Sequence, residues 1–300
     1  MTQETTKCGV VAVLGAPNAG KSTLVNQLVG QKVAITSAKA QTTRARMMGI
    51  ALHGDTQMIL VDTPGIFAPK RRLDRAMVSA AWEGAEAADA LLLLVDPLKQ
   101  RRHELEPLLE QIAARPERKI LVLNKVDAAK KEPLLALAQE LGGKVDFAEI
   151  YFVSAMTGDG VPEMKAALAA MMPEGPWMYP EDQVSDASER LLATEITREQ
   201  LYQQLHEELP YDSAVRPEKY IQRKDGSVEI HQQIVVMRDN QRAIVLGKGG
   251  SRIKAIGEAA RKELTELLGQ KVHLFLHVKT DERWSEDKEM FEEMGLEWKS

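Results

Sequence analysis

The sequence predicts a doubly wound α/β domain over residues 1–172, a linker over 173–186, and a smaller α+β domain over 187–300. Three observations point there. Aliphatic runs without alternation recur through the first half, as strands covered on both faces require. "MMPEGPWMYPEDQVSD" (171–186), with three prolines and a glycine, interrupts the pattern. Beyond it the element order changes to α-β-β-α-α-β, with a glycine-rich loop between the two consecutive helices.

In the first half, "GVVAVLG" (9–15), "TQMILVD" (56–62), "ALLLLVD" (90–96), "KILVLNK" (119–125) and "EIYFVSA" (149–155) read as buried strands. "GKSTLVNQLVG" (20–30) and "EPLLALAQELG" (132–142) read as helices between them, the second stopped by glycine. In an open parallel sheet the loops at the strand carboxyl ends hold the ligand. In the second half, 187–209 reads as an amphipathic helix and "EKYIQRKDGSVEIHQQIVVM" as two strands about an Asp225-Gly226 turn. "RIKAIGEAARKELTELLG" is a long helix and "KVHLFLHVK" a closing strand.

Three hundred residues suffice for two cored domains. A single cysteine, Cys8, rules out a disulfide framework and a cysteine zinc cluster. The polar start and the shortness of the apolar runs predict a cytosolic protein without a signal peptide or membrane span. The net charge of −5 alone argues against a nucleic-acid partner, but its distribution does not. Residues 219–279 hold 12 Lys and Arg against 6 Asp and Glu, a net of +6 that leaves −11 on the remainder. Such a module either meets a polyanion or is a solvated basic face. The tail 281–300, with 8 acidic and 3 basic residues, is expected to fold against it.

"GAPNAGKST" (15–23) fits G-x-x-x-x-G-K-[ST] after a strand and opening a helix. Gly15, Ala16, Pro17, Asn18, Ala19 and Gly20 would bring backbone N–H groups to phosphate oxygens at a helix N-terminus. Lys21 would reach the β- and γ-phosphates, and Ser22, followed by Thr23, would bind Mg²⁺. "DTPG" adds Asp62, holding Mg²⁺ through water, then Thr63, Pro64 and Gly65, whose N–H would sense the γ-phosphate. Of Thr42 and Thr43 one should cap the metal, and Thr43 is favoured. Lys21, Thr43 and Gly65 are the expected catalytic set.

"NKVD" (124–127) places a carboxylate, Asp127, where it accepts the N1–H and amine of guanine; buried and unpaired, it would penalise adenine. Lys125 would lie along the base, Asn124 would tie loops together, and Ser154 and Ala155 would turn N–H groups to the guanine oxygen. The ligand is GTP or GDP. An ATP-dependent kinase is excluded mainly by "NKVD".

These segments, in this order, resemble translation-factor-type GTPases, most closely the Era family of the TrmE-Era group, over nearly the whole chain. The linker and the helix end "EELPY" are similar too. The position that carries a water-orienting glutamine in Ras-like switches holds Ile66. The family resemblance therefore implies hydrolysis by another route. Asn18 either holds a potassium ion there or only stabilises the loop turn.

"GKGG" lacks the following Lys-Ser/Thr of a triphosphate cradle and lies between helices. It matches the G-x-x-G of a type II K-homology (KH) domain, which clamps single-stranded nucleic acid. Gly247, Lys248, Gly249 and Gly250 would contact the sugar-phosphate, Arg252 and Lys254 would neutralise phosphates, and "AIVLG" and "IKAIG" would floor the groove. His231, His273 and His277 lie on strands and are read as solvated or core residues. The resemblance implies a monomer that binds 16S ribosomal RNA near its 3′ end, acts in 30S subunit assembly, and associates peripherally with the inner membrane. Rival readings are an RNA adaptor with incidental hydrolysis and a tRNA-modifying or transport GTPase of the same group.

Overall fold

The computed structural model describes residues 5–39, 41–44, 46–99 and 102–298. The chain divides into two compact units, 1–186 and 187–300. In the first, β1 (Lys7–Gly15), β3 (Thr56–Asp62), β4 (Ala90–Val95), β5 (Arg118–Leu123) and β6 (Glu149–Phe152) are parallel. With β2 (Met47–His53), antiparallel to β3, they form a sheet of order β2-β3-β1-β4-β5-β6.

The aliphatic runs are continuous because the sheet has two cores. Val11, Val13, Leu92, Leu94 and Val122 point to one face, against Leu24, Val25 and Leu28 of α1 (Lys21–Val29) and Met164 and Leu168 of α5 (Val161–Met171). Ala12, Leu14, Leu91, Leu93 and Leu121 point to the other. There they meet Leu108 and Ile112 of α3 (Arg102–Ala113), Leu134 and Leu141 of α4 (Lys131–Gly142), and Ala85 of α2 (Arg72–Glu86). Successive residues of one strand thus serve opposite layers, and neither can be polar.

The sequence reading has no β2. This strand follows directly on the polar 36–46 segment and is short, with a glycine inside it. Its signal was the Gly54-Asp55 pair between two apolar runs, a hairpin turn that carries the chain into β3. Residues 153–155, read as strand, leave the sheet and turn into a loop.

Residues 173–186 have no helix or long strand but lie fixed on the first unit. Cys8 N–H donates to the Pro173 carbonyl (3.1 Å) and Trp177 Nε1 to the Asp55 carbonyl (3.0 Å). Gln57, fully buried in β3, accepts from the Met178 and Tyr179 amides (2.9 and 3.0 Å) and donates to the Tyr179 carbonyl (2.8 Å). The segment then runs beside β2, where Ile50 N–H donates to the Val184 carbonyl (2.8 Å) and Ser185 Oγ to the Met48 carbonyl (2.8 Å). It is a strap.

The second unit begins with α6 (Glu189–Gln204), capped by Ser188 Oγ accepting from Leu191 N–H at 3.2 Å. The helix expected to reach residue 209 stops at Gln204: Leu205 is extended and Glu207 takes φ 55°, ahead of Pro210. Leu205 and Leu209 still point inward, so the apolar period outlasts the helix. A sheet of β7 (Ser213–Gln222), β8 (Val228–Val236) and β9 (Val272–Thr280) follows, antiparallel then parallel. α7 (Asp239–Leu246) and α8 (Ser251–Leu268) connect β8 to β9. Val215, Ile234, Val245, Ile256 and Val278 form the core with α6. The tail packs back through buried Trp284, Met290 and Phe291, with α9 (Lys288–Glu293) presenting Glu289 and Glu293 to Arg216 at 2.9 Å. The acidic tail folds onto the second unit, but its ion pairs fall on Arg216, just ahead of the basic 219–279 stretch on which the tail was expected to fold.

Gln57→Leu keeps the volume but strands two amides and a carbonyl of the strap. It is expected to cost about 2–4 kcal/mol in the first unit's unfolding and to open residues 173–186 to protease, read by denaturant titration and limited proteolysis.

Candidate functional site

The loops of the site leave the carboxyl ends of β1, β3, β5 and β6, except the segment carrying Thr43, which runs from α1 to β2. After β1 the chain turns through residues 16–20 into α1. Gly20 has φ 100°, and a Cβ there would lie 2.2 Å from Asn124 Nδ2, so only glycine fits. Lys21 is buried, with Nζ donating to the carbonyls of Gly15 (3.1 Å) and Ala16 (3.0 Å). Burial lowers its pKa from 10.5 to about 8, and the nearby Asp62 charge opposes the shift. Thr23 lines the same cleft, with Ser22 and Gly65.

Ser22 Oγ donates to Asp62 Oδ2 at 2.6 Å. Thr43 Oγ1 lies 2.8 Å from Ser22 Oγ and 3.3 Å from Asp62 Oδ2. Thr42 instead donates to the Lys39 carbonyl (2.8 Å), so the structure brings Thr43, not Thr42, to the other two. Two hydroxyls and a carboxylate are hard oxygen donors, a set that fits Mg²⁺ sharing its shell with phosphates and water. No trio of His, Cys, Asp or Glu among the described residues could form a self-sufficient metal cage.

Residues 62–65 are buried. Thr63 Oγ1 donates to the Val13 carbonyl (2.7 Å), and a Cβ on Gly65 would stand 2.7 Å from Pro17 N. Pro64 is held between them. Ile66 packs on the core formed by α2, α3 and α4, and its N–H donates to the Gly15 carbonyl (3.0 Å). Its side chain is therefore committed to packing. Asn18, with φ 63°, donates from Nδ2 to the Ala38 carbonyl (3.1 Å), tying the cradle to the segment that leads to Thr43.

Asn124 is buried, donating to the Ala19 carbonyl (2.8 Å) and accepting from Ala155 N–H (2.9 Å). Lys125 Nζ donates to the Asn18 carbonyl (2.8 Å) and to Asp96 Oδ2 (2.6 Å). Two expectations change here. Asp127 is exposed, so any penalty against adenine arises only when a base covers the carboxylate. The Ala155 N–H is taken by Asn124, and the Ser154 N–H donates to the Asp159 carbonyl (2.9 Å), so neither amide is free for a guanine oxygen. Ser154 Oγ accepts from Thr157 N–H (3.2 Å), shaping that loop. Asp96, which accepts from Lys125, escaped the sequence reading, although it was visible as the acid ending the β4 run.

In the second unit Gly247 ends α7 and a turn over Lys248–Gly250 leads into α8. A Cβ on Gly247 would stand 2.8 Å from Arg252 Cβ and 2.9 Å from its backbone N, and φ is 71°. Gly249 and Gly250 are also left-handed, with open space around them. Arg252 Nη1 donates across the loop to the Ile244 carbonyl (3.3 Å), while Lys254 is exposed and 4.0 Å from Glu258. Of the expected apolar floor, Val245 and Ile256 belong to the core, and Ile244 is the residue exposed beside the loop.

Residues 10–125 match a family model described as a 50S ribosome-binding GTPase, and residues 208–285 match a KH domain. The chain is 84% identical to GTPase Era of Erythrobacter litoralis (strain HTCC2594), covering 99% of both chains. It is 50% identical to GTPase Era of Caulobacter vibrioides, covering 99% and 98%. A solved structure of Era with MgGDPNP and nucleotides 1506–1542 of 16S ribosomal RNA superposes with TM-score 0.92 at 36% identity, over 97% of this chain and 99% of that one. An Aquifex aeolicus Era variant bound to GDP.AlF4⁻ gives 0.91, also at 36% identity, over the same shares. No helix among the described residues is long and apolar enough to cross a membrane.

The buried Lys21 gives two pH dependences of opposite sign. Between about pH 8 and 10.5 the unfolded chain binds more protons at this lysine than the folded one, so its contribution to stability rises with pH. A polyphosphate favours the ammonium, so nucleotide binding above pH 8 takes up a proton and weakens by up to about tenfold per pH unit. Calorimetry at pH 8.5–9 in two buffers of different ionisation enthalpy should find proton uptake that Lys21→Met lacks.

Proposed function

Because the chain belongs to the Era family of GTPases, we propose that it is a GTP-driven switch whose KH unit holds single-stranded RNA from the 3′-end region of 16S ribosomal RNA, in the service of 30S subunit assembly and rRNA maturation. Conversion of GTP and water to GDP and phosphate is the family's activity. The convergence of Ser22, Thr43 and Asp62 beside Lys21 carries the switch reading, since it joins three separate stretches of chain at one point. Mg²⁺ held there would supply positive charge to the phosphate oxygens. Lys21 would neutralise the β- and γ-phosphates, the N-terminus of α1 would add its N–H groups, and Gly65 would offer its N–H to the γ-phosphate. Loss of that phosphate removes the reason for the segments carrying Thr43 and Gly65 to stay together.

The small subunit is preferred over the 50S particle of the family description because the RNA in the full-length relative is 16S. Support for RNA in this chain comes from the Lys248–Gly250 turn between α7 and α8 and the net charge of +6 around it.

With Ile66 packed against the core, unassisted hydrolysis is expected to be slow, on the order of 10⁻³ s⁻¹ or below. Potassium is the proposed assistant. The Asn18 amide and the Ala38 carbonyl meet beside the phosphate cradle, and uncharged carbonyl oxygens are suited to a monovalent cation. Replacing sodium by potassium should raise turnover at least about tenfold, and Asn18→Ala should abolish the difference; equal turnover in both salts ends this part of the proposal.

The switch is tested with an RNA oligonucleotide from the 3′ end of 16S rRNA. Its affinity should be at least about fivefold higher with a non-hydrolysable GTP analogue than with GDP, and Lys21→Ala should lose the difference. Equal affinity in both states favours the adaptor reading, to which Ile66 already lends weight.

A further inference from the structure

Hydrolysis needs a group that aims the attacking water. A glutamine does this in Ras-like switches, but the matching position here is Ile66, whose side chain is spent on packing. The cleft around the cradle holds another glutamine. Gln41 lines it together with Asn18, Lys21, Ser22, Thr43 and Gly65, and precedes Thr43 by two residues. A primary amide suits the task, since its oxygen accepts from a water while its two N–H groups serve separate acceptors. The other carboxamide on this cleft, Asn18, is already committed to the Ala38 carbonyl (3.1 Å).

Gln41 is held at both ends. Its backbone is left-handed, with φ 57°. Four non-glycine residues among those described have a positive φ, and two of the others, Asn18 and Lys125, also stand at the nucleotide site. Backbone of this kind collects at functional sites. At the far end of the side chain, Gln41 Nε2 donates to Asp74 Oδ1 at 3.3 Å. Asp74 is buried in the first turn of α2, where Oδ2 accepts from the Lys70 and Arg71 amides at 3.0 and 2.9 Å. A carboxylate can only accept, so it fixes which way the amide lies: nitrogen toward α2, oxygen away from it.

We propose that Gln41 is a catalytic residue of GTP hydrolysis, its amide oxygen orienting the attacking water, and that Asp74 is the positioning residue that aims it. The proposal rests on the hydrolysis reading above. Water adds to the γ-phosphorus as the bond to the β,γ-bridging oxygen breaks. That bond's electron pair leaves on GDP, and one water proton passes to an oxygen of the departing phosphate. The amide is too weak a base to keep a proton, so it acts by orientation alone. Potassium beside Asn18 would supply charge and Gln41 direct the water, so the two roles are separate.

The test uses the full chain at a fixed potassium concentration, as wild type, Gln41→Gly, Asp74→Asn and the double variant. Glycine takes the left-handed backbone more readily than glutamine, and asparagine keeps an oxygen for the Lys70 and Arg71 amides, so each variant folds. Single-turnover hydrolysis by Gln41→Gly should be slower by at least about tenfold. Its affinity for GDP should stay within about twofold of wild type. Its affinity for GDP with aluminium fluoride, a transition-state mimic, should fall at least about tenfold. Asp74→Asn presents an NH₂ group to Gln41 and turns its amide over, so it too should slow hydrolysis, but not in the Gln41→Gly background. Turnover by Gln41→Gly at the wild-type rate overturns the catalytic role, as does an equal loss of affinity for GDP and for the aluminium fluoride complex. An additive effect of Asp74→Asn overturns the positioning role. If wild type itself does not hydrolyse GTP, the hydrolysis reading has failed and this inference falls with it.

Discussion

One buried amide holds the nucleotide site together. Asn124 donates to the Ala19 carbonyl and accepts from the Ala155 N–H, so the loops after β1, β5 and β6 are fixed to one another through a single side chain. Both bonds lie out of water, where an unmatched partner would cost about 1–3 kcal/mol. The Gly20 conformation follows from it, because the amide occupies the space a Cβ would need. So does the start of α1, which opens at the next residue.

A second constraint is electrostatic. Lys21 is buried, and that burial disfavours its ammonium even though two carbonyl oxygens accept from Nζ and the Asp62 charge opposes the shift. A polyphosphate relieves that cost, so burial and ligand binding act on the same ammonium in opposite directions. Ser22, Thr43 and Asp62 bond among themselves, which brings the Thr43 segment into register with the cradle. The geometry discriminates between adjacent threonines that the sequence leaves nearly equivalent.

Much of the site was legible because it is written in short contiguous strings at strand ends. The cradle, "DTPG", "NKVD" and the glycine loop each need only local spacing. What stayed hidden depends on partners far along the chain. Gln57 looks like one polar interruption in an apolar strand, and only the strap, more than a hundred residues later, explains it. The end of α6 is obscured because Leu205 and Leu209 keep an inward apolar period after the backbone has left the helix. The occupied Ala155 amide could not be read from "VSA", since its acceptor sits on the preceding strand's loop. β2 was missed for another reason: it runs antiparallel to β3, and its signal was the Gly54-Asp55 turn rather than an alternation of strand and helix.

The strap also settles where the first unit ends as a material. β2 is the outer strand of its sheet, and an outer strand offers a row of unspent amides and carbonyls to any passing chain. Val184 and Ser185 occupy part of that row, at Ile50 and Met48. A fragment cut at residue 172 would keep every nucleotide-binding residue named above and lose its selvedge, leaving β2 open to pairing with a second copy. The first unit therefore runs to residue 186, fifteen residues past the end of α5.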